Sequence, residues 1–341
     1  MNSSRPIEIV GGGLAGLSLG LALRTAGVPV VVYEAGGYPR HRVCGEFITG
    51  LSRDTTERLR LAPLLSDALL HRAVAWFFGP QAARTQQLPS PALGLSRHAL
   101  DARLANAFTA AGGDLRPHTR VADLAGKPGR VFATGRRRAR SPWIGLKFHV
   151  RDLPLSRDLE LHLGDQAYVG LARIESGAVN VCGLFRRRPL ASPGPPLLLE
   201  YLRAANLARL ADRLAAGHID ATSFCAVAAL GFDRAATAVV DQIRLGDTCA
   251  MIPPFTGNGM AMAFQSAEAA LDPLLAFARG QSDWRYTCRA TNLALRRRFR
   301  LRLASAEALH PFLLRPRRQH WLATLSRARL VPFGPLYSAL H

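Results

Sequence analysis

Residues 7–34 read IEIVGGGLAGLSLGLALRTAGVPVVVYE, and no other stretch constrains the rest of the chain as much. Ile7–Val10 predicts a strand, Leu14 to about Ala26 a helix, and Val30–Tyr33 a second strand that ends on Glu34. Gly11, Gly13 and Gly16 stand in G-x-G-x-x-G spacing. The first glycine makes the tight turn, the second lets a pyrophosphate approach the backbone, and the third lets helix and sheet pack closely. A helix start offers free N–H groups and a positive dipole end to phosphates. Glu34, at the tip of the second strand, stands where a carboxylate accepts from ribose hydroxyls. The hexapeptide alone also suits an ordinary βα turn, and the extra Gly12 makes chance matching easier. With strand, helix, strand and acid in series, an ADP-containing cofactor is expected.

At 341 residues, with 48% hydrophobic and 20% charged residues, the chain suggests a globular protein of roughly two domains. The apolar run Ile9–Leu23 lacks a basic leader and a cleavage site, so a soluble, cytoplasmic protein is expected. Cys44, Cys182, Cys225, Cys249 and Cys288 are odd in number and lack a C-x-x-C, which predicts neither a disulfide framework nor a metal site. A formal charge of +20 invites a nucleic-acid reading. Lys127 and Lys147 are the only lysines, however, so the charge is a bias toward arginine, and no nucleic-acid-binding motif accompanies it. No nucleic-acid partner is expected.

After Glu34, Gly36, Gly37 and Pro39 predict a loop that leads through Arg40 and Arg42 to Val43-Cys44-Gly45-Glu46-Phe47. Arginines there would neutralise phosphate or form a solvated basic loop; Cys44 reads as a small packing residue more than as a reactive thiol. A helix is expected over Leu51–Leu70, a strand over Ala73–Phe78, a loop over 79–92, and a short strand Leu93–Arg97 feeding a helix His98–Ala111. Asp114–Val121 and Arg130–Thr134 read as further strands, and the run Arg136, Arg137, Arg138, Arg140 as a solvated face. From Trp143 to Phe185 the period becomes that of strands, in WIGLKFHV, LELHL, AYVGLARI and AVNVCGLF, which predicts an antiparallel sheet. Leu197–Ala216 reads as one amphipathic helix and Ala226–Phe232 as a strand.

The second informative stretch is QIRLGDTCAMIPPFTGNGMAMAFQSAEAALDPLLAFA. A strand ends at Gly246-Asp247, and a loop through Pro253, Pro254, Phe255, Gly257 and Gly259 opens a long helix near Met260. Asp247 could accept from sugar-alcohol hydroxyls, or Gly246-Asp247 could be a plain turn. The tail from Trp284 onward is helical, arginine-rich and broken by prolines; it either caps the substrate domain or lies on a membrane surface as a peripheral contact.

Taken in order, GGGLAG with Glu34, RVCGEF, GLSR before a helix, ATGR, GD and PPFTGNGM resemble FAD-dependent oxidoreductases of the geranylgeranyl-reductase and aromatic-hydroxylase (group A flavin monooxygenase) superfamily. The resemblance implies an α/β fold: a Rossmann-like FAD-binding domain (1–60, 93–140 and 236–278), an antiparallel-sheet substrate domain (61–92 and 141–235), and a helical C-terminal cap (279–341). It implies FAD held by Gly11, Gly13, Leu14, Ala15, Gly16 and Glu34, with Ala15 and Glu34 at the adenosine end, and by Arg42, Cys44 and Gly45 in the middle. Arg97 and Val121 would touch it from neighbouring strands, and Asp247 would bind ribitol. Gly259 and Met260 would lie against the isoalloxazine, Pro254 and Phe255 would shape the wall over the ring, and Gly257 would also bind the cofactor. Three departures stand out: Thr134-Gly135 replaces an acid before glycine, the stretch between Val121 and Ala133 is short, and neither the halogenase W-x-W-x-I-P motif nor the reductase aromatic motif is present.

The expected activity is therefore an NAD(P)H-dependent monooxygenase of a hydrophobic or aromatic small molecule. The alternatives are a flavin-dependent C=C reductase of a polyprenyl or lipid substrate and a non-catalytic flavin-binding subunit. No catalytic residue stands out; His149, His162, Glu46 and Tyr168 are weak candidates.

Overall fold

In a computed structural model the described residues are 4–79, 82–136, 140–232 and 241–340. Five short parallel strands form one sheet: β1 (Ile7–Val10), β2 (Val30–Tyr33), β6 (Asp114–Arg116), β7 (Arg130–Phe132) and β13 (Ile243–Arg244), in the order β13-β7-β1-β2-β6. Helix α1 (Leu14–Thr25) crosses from β1 to β2, which pair in register from Ile7 with Val30 to Val10 with Tyr33. Residues Leu14 to Leu23 of α1 are all buried, because α6 (Gly259–Ala278) and α3 (Arg97–Ala110) cover what the sheet leaves open. A helix apolar on every side must be enclosed on every side.

The second sheet has eight strands in the order β12-β8-β11-β10-β9-β4-β5-β3. These are β3 (Phe47–Ile48), β4 (Leu69–Phe77), β5 (Ala82–Gly94), β8 (Trp143–Arg151), β9 (Leu159–Gly164), β10 (Ala167–Arg173), β11 (Val179–Arg186) and β12 (His218–Ala228). Every pairing is antiparallel except β4 with β9. Helices α4 (Pro195–Ala204) and α5 (Ala208–Ala215) cover one face, where Leu146, Phe148, Val150 and Val181 meet Leu198, Tyr201, Leu202 and Leu214. The other face looks toward the parallel sheet. With both faces covered, β9 is buried at all its positions instead of alternating.

Several expected boundaries move for local reasons. In place of one helix over 51–70 there is α2 (Arg53–Arg58), capped by the Ser52 side chain, and a single 3₁₀ turn at Ala62–Leu65; Arg60 at φ +57° ends the first. The stretch 79–92 is mostly strand, not loop, and Pro89 and Pro91 fall where the β4–β5 register slips between His71 and Ala73. A bulge needs no ladder N–H from them. Pro117 stops β6 at Arg116, so Val121 lies beyond the strand. Asn206 at φ +61° splits the expected helix 197–216 into α4 and α5, and Ala229 at φ +58° ends β12 at Ala228, before the expected Phe232. Arg137 and Arg138, and the domain boundary expected at 235/236, lie outside the described residues.

The tail forms α7 (Trp284–Leu314), α8 (Pro316–Arg327) and α9 (Phe333–Leu340). Pro316 takes the first position of α8, where its missing N–H costs nothing, and Pro311 falls in the last turn of α7. Among the described residues no helix is long and apolar enough to cross a membrane.

Candidate functional site

A cavity of about 1000 Å³ lies between the two sheets and under the tail helices. One end begins at the glycine turn, with Gly13, Leu14 and Ala15 in the wall, and is completed by Arg40, His41, Arg42, Cys44, Gly45, Arg97 and Asp247. The other end is apolar, with Trp76, Leu161, Tyr168, Leu184, Phe255 and Leu313 among its residues. Pro254, Gly257, Gly259 and Met260 stand in the wall as well.

The three fingerprint glycines divide by what a side chain would meet. A Cβ on Gly16 would lie 2.0 Å from the Gly11 carbonyl oxygen, and one on Gly11 2.2 Å from that of Ala133. These two serve the fold. A Cβ on Gly13 would meet nothing within 4 Å, and its φ of −87° and ψ of −170° suit any residue. Neither packing nor backbone requires glycine there; the space left open is the cavity in front of the α1 N-terminus. A phosphate would fill it.

Glu34 is buried and is not in the cavity wall. Its carboxylate accepts from the Gly12 N–H at 2.9 Å, the Gly36 N–H at 2.9 Å and Arg40 at 2.7 Å, while the Tyr38 hydroxyl donates to the Gly12 carbonyl. The acid thus braces the loop that carries the arginines. Gly11, Gly16 and Val121 are likewise outside the wall. Arg42 donates to Asp101 at 2.8 Å, and Arg97 grips the same carboxylate at 2.8 and 2.9 Å. Arg40 Nε and one terminal nitrogen of Arg42 are buried with no hydrogen-bond partner. Each guanidinium thus keeps one buried N–H unspent beside the wall residues Gly13 to Ala15, which suits an anion.

Asp247 faces the cavity from the turn after β13, and its depth among protein atoms raises its carboxyl, against the pull of Arg97, Arg136 and Arg42. Burial likewise pushes the Cys44 thiol up, so it is no ready thiolate. At the apolar end burial lifts the Tyr168 phenol far above its usual range, and its hydroxyl makes no hydrogen bond. His310 lies behind it, stacked on Phe255 at 6.1 Å, with its Nε2 unpartnered; burial brings its imidazole down to about 4.

Beneath the polar end is a charged cluster that the sequence did not single out as a unit. Glu46 and Lys147 are both fully buried, 3.3 Å apart. Glu46 accepts also from the Arg97 N–H at 3.0 Å and pairs with His149 Nε2 at 2.6 Å. Although burial alone would raise its carboxyl, His149 and Lys147 hold it below the usual range. Lys147 Nζ reaches His41 Nδ1 at 3.2 Å. An ammonium only donates, so Nδ1 accepts and the His41 proton sits on Nε2. Burial and the Lys147 charge bring His41 down to about 4. His41 is therefore a neutral group in the cavity wall. A signal was present in the strand WIGLKFHV, whose alternation puts Lys147 and His149 in step with Gly145, a wall residue. The other weak candidate, His162, is occupied by Glu160 at 2.9 Å and stacks on Phe77.

The roof was not expected in this detail. Phe333, Leu336, Tyr337 and Leu340 of α9 line the cavity. The wholly buried Asn258 donates to the Leu340 carbonyl at 2.6 Å and accepts from Thr49 at 3.2 Å.

No family model and no curated protein matches the sequence. Solved structures do. Klebsiella pneumoniae HpxO, complexed with FAD and uric acid, superposes with a TM-score of 0.76 at 14% identity, over 98% of this chain and 96% of that one. Pseudomonas aeruginosa PqsL, in complex with 2-aminobenzoylacetate, gives 0.73 at 16% identity over 92% and 98%. The flavin-dependent brominase Bmp2 gives 0.74 at 15% identity over 98% and 92%. At such identities the likeness shows a shared fold, that of FAD-dependent monooxygenases and halogenases.

Proposed function

We propose that this chain, which has the fold of FAD-dependent monooxygenases and halogenases, is itself an FAD-dependent monooxygenase of an apolar or aromatic small molecule, with NAD(P)H as electron donor. The observation that carries the reading is that one cavity joins a phosphate-type end to an apolar end. Gly13, Leu14 and Ala15 at the α1 N-terminus would receive the pyrophosphate, with Arg40 and Arg42 as counter-charges. Asp247 would accept from ribitol hydroxyls, and Gly259 and Met260 would bring the α6 N-terminus to the ring, where a positive dipole end stabilises negative charge. When bound, FAD supplies electron transfer and oxygen activation.

The chain's own residues then do three things. Trp76, Leu161, Leu184 and Phe255 hold an apolar molecule and exclude water. Tyr168 offers one polar group in that chamber, which a substrate carbonyl or hydroxyl would pair with and so be oriented. Neutral His41 presents Nε2–H without adding charge beside the arginines. Glu34 supports the arginine loop from behind the cavity wall.

The test is the visible spectrum of the purified protein, followed by NADH or NADPH in air. Flavin absorbance that bleaches on addition, with oxygen consumed in step with product once a substrate is supplied, is expected. A colourless protein that takes up no added FAD overturns the reading. Turnover without oxygen consumption would make it a reductase.

A further inference from the structure

We propose that the mouth of this cavity is a docking surface for an anionic lipid membrane. The outermost wall residues, Phe312, Trp321 and Leu325, are 41%, 69% and 38% exposed, although each also lines the cavity. Trp321 and Leu325 are one turn apart on α8, and Leu330, 68% exposed, follows just beyond the helix, next to the wall residue Val331. Leu322 and Ser326, on the inner side of the same helix, face the cavity too. Helix α8 therefore shows apolar side chains both inward and outward, where a surface helix ordinarily keeps its outer face polar.

The charge that the tail itself brings to this patch has one sign. From Ala308 to His341 there is no Asp or Glu, while Arg315, Arg317, Arg318, Arg327 and Arg329 flank the patch. The Arg318 guanidinium lies 5.2 Å above the Phe312 ring, so cation and apolar surface are side by side. Three occupants can be compared on that chemistry. A second copy of the chain carries +20 and would bring the same arginines against these. A nucleic acid would take the arginines and could stack a base on the indole, but it leaves the aliphatic Leu325 and Leu330 against water. A bilayer with anionic headgroups takes both, arginine at the headgroups and Trp, Phe and Leu at the acyl boundary. The apolar patch is also continuous with the cavity lining, so a molecule dissolved in the bilayer meets no water between membrane and chamber. That last consequence rests on the proposed function; the docking itself does not.

The experiment is flotation of the full-length protein with vesicles of phosphatidylglycerol and phosphatidylcholine, or of phosphatidylcholine alone, with flavin content measured in parallel. Binding to the anionic vesicles, weakened by salt, is expected. Arg317→Gln with Arg318→Gln should weaken it about thirtyfold, and Trp321→Ala about tenfold. Both variants alter exposed or half-exposed side chains, and an unchanged unfolding midpoint shows that they fold. No association with anionic vesicles overturns the proposal. So does association that Trp321→Ala leaves unchanged, which would be charge alone, or loss of self-association in that variant, which would make a second copy the occupant. Vesicle binding by a protein that takes up no flavin sinks the oxygenase reading and leaves the docking standing.

Discussion

Gly13 carries the sharpest residue-scale contrast. Because its Cβ would point into open cavity and its backbone is ordinary, Gly13→Val should cost no more than the loss of a good N-cap residue, about 1 kcal/mol, while abolishing FAD uptake. Gly16→Ala, forced against the Gly11 carbonyl, should instead cost about 2–3 kcal/mol. Denaturant unfolding beside flavin absorbance reads both, and retained flavin in folded Gly13→Val would refute the assignment. His310 gives a pH prediction. Its imidazole is held at about 4 in the folded protein, against 6.5 ordinarily. The unfolded chain therefore binds the proton first, and stability is lost as pH falls from about 6.5 toward 4. His310→Phe should flatten that limb by on the order of 1 kcal/mol, seen in unfolding midpoints across the window. His41 acts in the same sense and would remain.

At the scale of elements, β3, β8 and the α3 start meet in the Glu46 cluster. Breaking a buried pair leaves a charge without its counter-ion. Glu46→Gln should cost about 3–5 kcal/mol, since Lys147 would keep only His41. Adding Lys147→Met to that variant should recover about half or more, and a double-mutant cycle by chemical denaturation measures it. Elements also show what the sequence could tell. The β1–α1–β2 unit was legible because its pattern is local: an apolar strand, glycine turn and helix all fall within residues 7–34. The cavity-facing side of β10 and β11 was not, because α4 and α5 bury the other face too and apolar residues stand on both. The prolines of β5 read as loop because only the tertiary pairing reveals the bulge that tolerates them.

For the whole molecule the decisive contacts are long in sequence. Asn258 to Leu340 and Arg84 to Val331 tie the tail to the cavity wall, and no local pattern announces either. Thus the tail was legible as helical, and its role as roof was not. Asn258→Ala should remove about 1–3 kcal/mol from the closed arrangement and speed protease cleavage between Ala328 and Pro332 by about tenfold or more. Limited proteolysis with mass analysis reads this, and an unchanged rate would mean that the roof is held by apolar packing alone.

The roof has a consequence for the order in which the protein is made. The glycine turn leaves the ribosome more than three hundred residues before Phe333. During synthesis the phosphate end can therefore form and receive its ligand while the apolar end is still open, and α9 shuts the chamber afterwards. A bulky group fused directly after Leu340, whose carbonyl is tied to a wholly buried Asn258, would act on that closing step and not on the formation of the two sheets.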